Sequence, residues 1–363
     1  MQALPPITKI TLCSESEVKV QALKDVIGDF PWLDKVQLSF KDSQPEKNPV
    51  QPVNSGFVCS VRRIDHLGAD LQTPDHLFIA IENEIQVKEV QGKNEISDIC
   101  NVTIRRGDIT VTTQSYGIPL PEEYYVRAVK ESDPAYANMD DGLSLTAGSL
   151  IAKDHPEIKA NNWMADPKFG GKDRSAQIKD ALVASLQKIY ISERTAYHKD
   201  YPKPGVTFKD LSYVCADPLS FKYVVQCMKQ AMAAKGWIGK VNKIMGFDAR
   251  GFIFGSILAR ELDVGFIMIR KKGKLPGQKF QIKYTTEYSE EIFELIHDIV
   301  GPEDNVLLVD DVVATGGTLK AGVDAISMGN KGNVIGCLAV LQVDALVSIA
   351  RSKLGATELI TLF

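Results

Sequence analysis

The segment Val306 to Thr318, V-L-L-V-D-D-V-V-A-T-G-G-T, joins an apolar run, two adjacent acids and a loop of small residues. The apolar run reads as a buried strand, and in an open parallel sheet the loop at its carboxyl end lies in the crevice where ligands bind. Gly316 and Gly317 let the backbone approach closely, and the free amides of a following helix attract an anion. The Thr315 and Thr318 hydroxyls complete a phosphate cradle. The Asp310 and Asp311 carboxylates can hold vicinal hydroxyls or face a magnesium ion. Together Asp310, Asp311, Ala314, Thr315, Gly316, Gly317 and Thr318 suit a ribose 5-phosphate.

Other phosphate and metal chemistries are excluded by pattern. The chain has no G-x-x-x-x-G-K-[ST] and no G-x-G-x-x-G at this position. Its six cysteines show no C-x-x-C spacing, so reduced, partly buried thiols are expected, and its five histidines form no H-E-x-x-H. The net charge of -4 argues against a general DNA or RNA binder. That charge is uneven: residues 1–175 hold 19 basic against 26 acidic side chains, and residues 176–363 hold 23 against 20. The second half is the better host for a polyanion.

A chain of 363 residues exceeds the usual single domain, and 44% hydrophobic with 24% charged residues is ordinary globular composition. No apolar run approaches a membrane span, and Pro5 and Pro6 interrupt the start where a signal peptide needs an apolar stretch. A soluble, cytoplasmic protein with no membrane partner is the expectation.

Two α/β patterns follow one another without a repeat. In the first, a strand over Ile7–Leu12 precedes a helix through Val18, Ala22, Leu23 and Val26, opened by a capping box of Ser14 and Glu17. A strand is expected at His76–Ile81, a hairpin around Arg106-Gly107-Asp108, and a helix over Glu122–Lys130. The stretch Asp154–Asp173 is rich in breakers and reads as a long inserted loop. Helical spacing over Ala176–Ile191 predicts the helix that joins the two units, giving domains 1–175 and 176–363. Beyond it come a rigid turn at Tyr201–Gly205, an amphipathic segment at Phe221–Ala233, and a βαβ unit. That unit comprises Lys243–Phe247, Phe252–Leu262 and Gly265–Arg270, followed by a helix near Tyr288–Ile299 and the strand Val306–Val309.

The thirteen-residue segment at Val306–Thr318 resembles the phosphoribosyl diphosphate motif of type I phosphoribosyltransferases. Four further segments resemble the adenine phosphoribosyltransferase family in order: Y-P-K-P-G-V-T-F-K-D at Tyr201–Asp210, G-F-D-A-R-G-F at Gly246–Phe252, I-R-K-K-G-K-L-P-G at Ile269–Gly277, and Y-T-T-E-Y at Tyr284–Tyr288. The resemblance implies a parallel sheet flanked by helices. It also implies magnesium-dependent transfer of phosphoribosyl from phosphoribosyl diphosphate to adenine, giving AMP and pyrophosphate, a purine salvage step. By carry-over, Arg250, Arg270, Lys271 and Lys274 clamp the leaving pyrophosphate, with Asp248 in the same site, and magnesium is held mainly through substrate phosphates. Asp310 and Asp311 take the ribose hydroxyls, and Glu287 is the acid/base near N7 of the purine. Thr207, Lys209 and Tyr288 lie at the adenine, with Lys209 standing where the family often has arginine. Phe208 and Phe252 read as core. Another purine base, or a non-catalytic phosphoribosyl diphosphate sensor, stays open as an alternative.

In residues 1–175, L-C-S-E-S-E-V-K-V-Q-A at Leu12–Ala22, I-A-I-E-N at Ile79–Asn83, I-P-L-P at Ile118–Pro121 and L-T-A-G-S-L at Leu145–Leu150 resemble the inosine/xanthosine triphosphatase family. That likeness implies an α/β domain hydrolysing aberrant purine nucleoside triphosphates (ITP, XTP) with magnesium. Its nucleotide site falls at Ser14 and Lys19, with Glu82 helping to hold metal. Ser16 replaces a phosphate-binding asparagine of that family. An active triphosphatase and an inactive scaffold or regulator are equally compatible with these residues. Both resemblances imply a homodimer.

Overall fold

The computed structural model describes residues 4–68, 73–90, 92–201, 204–205, 207–285, 290–327 and 332–363. They form two compact units, Met1–Ala196 and Tyr197–Phe363. No helix among the described residues is long and apolar enough to cross a membrane.

The first unit runs β1 (Lys9–Leu12), α1 (Glu17–Ile27), β2 (Gln37–Phe40), β3 (Gln51–Pro52), α2 (Gly56–Asp65), β4 (His76–Val90) and β5 (Lys93–Arg106). It continues with β6 (Ile109–Gln114), β7 (Ile118–Pro119), α3 (Glu122–Glu131), β8 (Gly142–Leu143), α4 (Ala147–Asp154) and α5 (Arg174–Ser192). The sheet order is β2-β1-β4-β5-β6, parallel across β2, β1 and β4 and antiparallel from β4 to β6, with β7 on β5. The expected turn at Gly107-Asp108 links β5 to β6, with Gly107 at a φ of 52°.

Four sequence expectations change here. β4 and β5 run far beyond Ile81 because the outer half of their hairpin alternates apolar and charged residues, which a search for continuous apolar runs misses. The capping box does not form: α1 begins at Glu17, so that glutamate sits in the first helical position, and Ser14 Oγ instead accepts the Ser16 N–H at 3.2 Å. The Asp154–Asp173 stretch is a loop with short 3-10 turns but no excursion. It buries Ile158, Trp163, Met164 and Phe169 against Tyr124, Leu150 and Ile151. Finally, α5 packs on α1, β5 and β6, so the division falls after this helix, at 196/197, rather than before it at 175/176. An amphipathic helix cannot announce from its own sequence which neighbour will cover it.

In the second unit a ribbon of β9 (Ala196–Lys199) and β10 (Thr207–Asp210) precedes α6 (Ser212–Ala216) and α7 (Pro218–Ala234). Then follow β11 (Lys243–Phe247), α8 (Arg250–Leu262), β12 (Gly265–Lys271), β13 (Lys279–Thr285), β14 (Glu290–Ile296), β15 (Asn305–Val313), α9 (Gly317–Ala325), β16 (Asn333–Gln342), α10 (Val347–Leu354) and β17 (Leu359–Thr361). The sheet order is β13-β14-β12-β11-β15-β16-β17. The strands from β12 to β17 are parallel, and the β13–β14 hairpin is antiparallel on the β12 edge. The core packs Phe247, Ile269, Phe293, Leu308, Leu319 and Ala339.

The helix expected near Tyr288–Ile299 is not formed; its described part is the strand β14. Phe293 and Leu295 point into the core two residues apart, a strand period that a short apolar run hides. β15 also continues past Val309 to Val313, so Asp310 and Asp311 belong to the strand rather than to the loop after it.

Candidate functional site

The carboxyl ends of β11, β12, β15 and β16 open onto one cavity of about 470 Å³. Its lining includes Thr207, Phe208, Lys209, Asp248, Arg250, Lys271, Asp310, Asp311, the whole run Ala314–Thr318, and Gln342. All of these but Phe208 and Gln342 are residues that the sequence singles out for phosphoribosyl and base binding, and they meet in one place. Glu287 and Tyr288 lie outside the described residues, as do Pro202, Lys203 and Val206 of the Tyr201 motif. Arg270 and Lys274 are absent from the lining. Arg270 Nε binds Asp248 at 3.0 Å with its guanidinium 5.8 Å from the Phe252 ring, and Lys274 is exposed on the 272–278 turn.

The phosphate end is built by α9. Gly316 caps that helix with a φ of 75° and no side-chain cap, so the first amides of α9 remain free for a ligand. A Cβ on Gly316 would stand 3.0 Å from Ala350 Cα of α10, so both the backbone angle and the space require glycine.

Asp310 and Asp311 are 8% and 5% exposed. The Asp311 N–H donates to Asp310 Oδ1 at 2.9 Å. Arg250 Nε lies 2.8 Å from Asp311 Oδ2, but no N–H is directed at that oxygen, which is left buried without a hydrogen bond. Burial first, and the Asp311 charge second, push the Asp310 carboxyl well above the usual carboxylate range. Burial also raises Asp311, with Arg250 pulling it back. One of these acids is thus disposed to donate and the other to accept, which suits two neighbouring hydroxyls. The start of α8 comes close to Asp310 because residue 251 is glycine: a Cβ there would sit 2.8 Å from Val309 O and 3.1 Å from Asp310 Oδ1.

Arg250 is half-exposed at the mouth, its guanidinium 5.9 Å from the Phe208 ring. Phe208 meets the Tyr201 ring edge-on at 5.4 Å, and both line the cavity, so Phe208 is a wall of the site rather than core. Lys209 is held 3.4 Å from Asp344, and Lys271 lies 3.2 Å from Glu291. Sequence reasoning missed Glu291, Phe293, Val312 and Leu341–Val343 in the lining. The last two groups were discoverable as carboxyl ends of parallel strands, whereas Glu291 and Phe293 were hidden by the helical reading of their segment.

In the first unit the structure brings Lys19 and Glu82 together. Lys19 Nζ donates to Ile81 O at 2.7 Å and lies 3.8 Å from Glu82, whose carboxylate takes Arg63 Nε at 2.6 Å. Burial draws the Lys19 ammonium pKa down, and Glu82 draws it back up. Ser14 is buried, its hydroxyl engaged by the Ser16 amide. No cluster of three or more His, Cys, Asp or Glu side chains suited to a metal occurs among the described residues.

A model of the phosphoribosyl transferase domain matches residues 225–346. The adenine phosphoribosyltransferase of Methylobacterium nodulans is 41% identical over 141 residues, covering 39% of this chain and 76% of the relative. That of Francisella philomiragia is 39% identical over 157 residues, covering 43% of this chain and 88% of the relative. The crystal structure of the Saccharomyces cerevisiae adenine phosphoribosyltransferase, complexed with an imino-altritol bisphosphate and adenine, aligns at 31% identity with a TM-score of 0.46, covering 49% of this chain and 99% of that one. Shared sequence over most of the length of the Methylobacterium and Francisella relatives places this chain in the adenine phosphoribosyltransferase family.

Proposed function

We propose that the second unit transfers the phosphoribosyl group of phosphoribosyl diphosphate to adenine, releasing pyrophosphate and AMP. The observation that carries this reading is the single cavity joining the α9 phosphate cradle, the buried Asp310–Asp311 pair and Arg250. Ala314–Thr318 bind the 5-phosphate through the α9 amides, and the two aspartates take the ribose hydroxyls. Phe208, Thr207 and Lys209 receive the planar base. As N9 attacks C1 the bond to pyrophosphate breaks, and charge gathers on the leaving oxygens where Arg250 and Lys271 face the cavity. Arg270 reaches that charge after release from Asp248, and Lys274 reaches it from the exposed 272–278 turn. Glu287 handles the proton at N7.

The donor set fits magnesium bound chiefly through substrate phosphates: hard carboxylate oxygens stand beside the phosphate cradle, one of them without a hydrogen bond, and among the described residues there is no dense carboxylate cage. When bound, magnesium supplies further stabilisation of pyrophosphate charge. The test is AMP formation from adenine, phosphoribosyl diphosphate and magnesium, with guanine, hypoxanthine and orotate in parallel. AMP is the expected product, and turnover only with another base would overturn the adenine assignment.

For the first unit we infer an inosine/xanthosine triphosphatase-like nucleotide site at Ser14, Lys19 and Glu82, supported by the meeting of Lys19 with Glu82 beside the start of α1. Arg63 already engages Glu82, which favours nucleotide binding over metal-assisted hydrolysis. The full chain is therefore expected to bind ITP or XTP with little turnover. Rapid pyrophosphate release from either would show an active hydrolase, and failure to bind both would remove the nucleotide reading.

A further inference from the structure

The 272–278 turn between β12 and β13 carries Lys274 and follows Lys271, two of the cations assigned to the pyrophosphate. One carboxylate holds this turn. Glu294 is the fifth residue of β14, and by strand alternation its side chain faces away from Phe293 and Leu295, which enter the core. It is 1% exposed. Its carboxylate accepts the Leu275 N–H at 3.4 Å, the Gln281 side-chain amide at 3.0 Å and the Gly273 N–H, and stands 3.3 Å from Lys279 Nζ. Lys279 in turn donates to Leu275 O, so both backbone groups of Leu275 are held by one ion pair. At the near end the Lys272 N–H donates to Ile292 O at 3.0 Å.

This is more than helps β14 pair with its neighbours. A strand residue whose acceptors are spent on the backbone of an adjacent turn fixes that turn, and bonds to a charged acceptor are the stronger kind. The same bonds, with that of Gly273 foremost, pull the Glu294 carboxyl down to about 2, so it stays charged at any pH the enzyme meets.

We propose that Glu294, with Lys279, is a positioning residue that moors the 272–278 turn and so sets where Lys271 and Lys274 stand relative to the leaving pyrophosphate. Its kinetic consequence rests on the transferase reading above, but the mooring itself does not. Glu294 touches no substrate, and it acts through the lysines it places.

The test uses the full chain and two readouts. Limited trypsin digestion, followed by mass spectrometry, measures cutting after Lys272 and Lys274, which tracks how often the turn opens. Glu294→Ala is expected to speed these cuts about tenfold and Glu294→Gln about threefold, from loss of charged hydrogen bonds. Glu261→Gln on α8, which breaks an exposed ion pair with Lys229 of α7, should leave them unchanged. In the transferase assay KM for phosphoribosyl diphosphate should rise about tenfold while KM for adenine stays within about twofold. Cutting at the wild-type rate in a folded Glu294→Ala protein would overturn the mooring, and equal rises in both KM values would overturn the positioning role. If Glu294→Ala does not fold, Glu294→Gln and Lys279→Met decide on the same readouts. If the wild-type chain makes no AMP, the transferase reading fails while the digestion still decides the mooring.

Discussion

Asp311→Ala should lower kcat/KM for phosphoribosyl diphosphate by about a hundredfold, the scale of one lost charge-stabilising contact in a closed site, while leaving the protein folded. Asp311 Oδ2 is buried, receives no directed hydrogen bond, and has only the half-exposed Arg250 as a counter-charge. A group held against the cost of burial without full partners is a poor stabiliser, so its presence is explained by what the substrate brings. Removing it also frees Arg250 from its ion pair, which misplaces a cation at the cavity mouth. Steady-state kinetics with thermal melting checks the claim: a large drop in melting temperature with unchanged kcat/KM would assign Asp311 to the fold instead.

The neighbouring acid gives the same argument a pH axis. Asp310 has its carboxyl pushed up by burial and by the Asp311 charge, so the folded protein holds a proton that the unfolded chain releases near pH 4. Its contribution to stability is therefore fully present below the ordinary carboxylate pKa and is lost as pH rises toward the raised value. Asp310→Asn removes that loss. Its melting temperature should pull ahead of wild type as pH rises from about 5 to about 8, and Asp311→Ala should show a smaller gain of the same sign, because Asp310 remains and the Asp311 carboxyl it removes is raised less. A constant difference across that range would show that Asp310 does not carry the proton.

How far the sequence reached can be judged from the same strand. V-L-L-V-D-D-V-V-A-T-G-G-T announced a strand, two acids and a phosphate turn because each part has a local cause: an apolar run, charges at a strand end, and glycines where the backbone must bend. The parallel core and most of the cavity followed from it. What escaped was set by partners distant in sequence. Arg270 looked like a free clamp, and only the fold shows it bound to Asp248, twenty-two residues earlier. β14 read as helix because its apolar residues gain their strand identity from β12 and β13. Phe208 read as core because hydrophobicity alone does not say whether an aromatic ring faces protein or ligand. The long helix α5 was found almost to the residue, yet its allegiance to the first unit depends on α1, β5 and β6.

Gly316→Val should raise KM for phosphoribosyl diphosphate by about a hundredfold, a loss in keeping with a misplaced binding group, and lower the melting temperature as well. Two costs combine at this residue. A β-branched side chain at a φ of 75° is strained by about 1–3 kcal/mol. Its Cβ would also press on Ala350, with Cα at 3.0 Å and Cβ at 3.1 Å, in the helix that packs behind the cradle. The strain can be relieved only by moving the loop or α10, and moving the loop turns the α9 amides away from the phosphate. Gly236→Val separates the two costs. Gly236 has a similar φ of 63°, but its nearest atom is the flexible Lys240 Nζ at 3.8 Å. That variant should lose stability through backbone strain alone and keep the wild-type KM. If both variants lose stability and neither changes KM, the cradle at Ala314–Thr318 does not hold the 5-phosphate. If Gly316→Val alone loses affinity, the free amides at the start of α9 are its binding site.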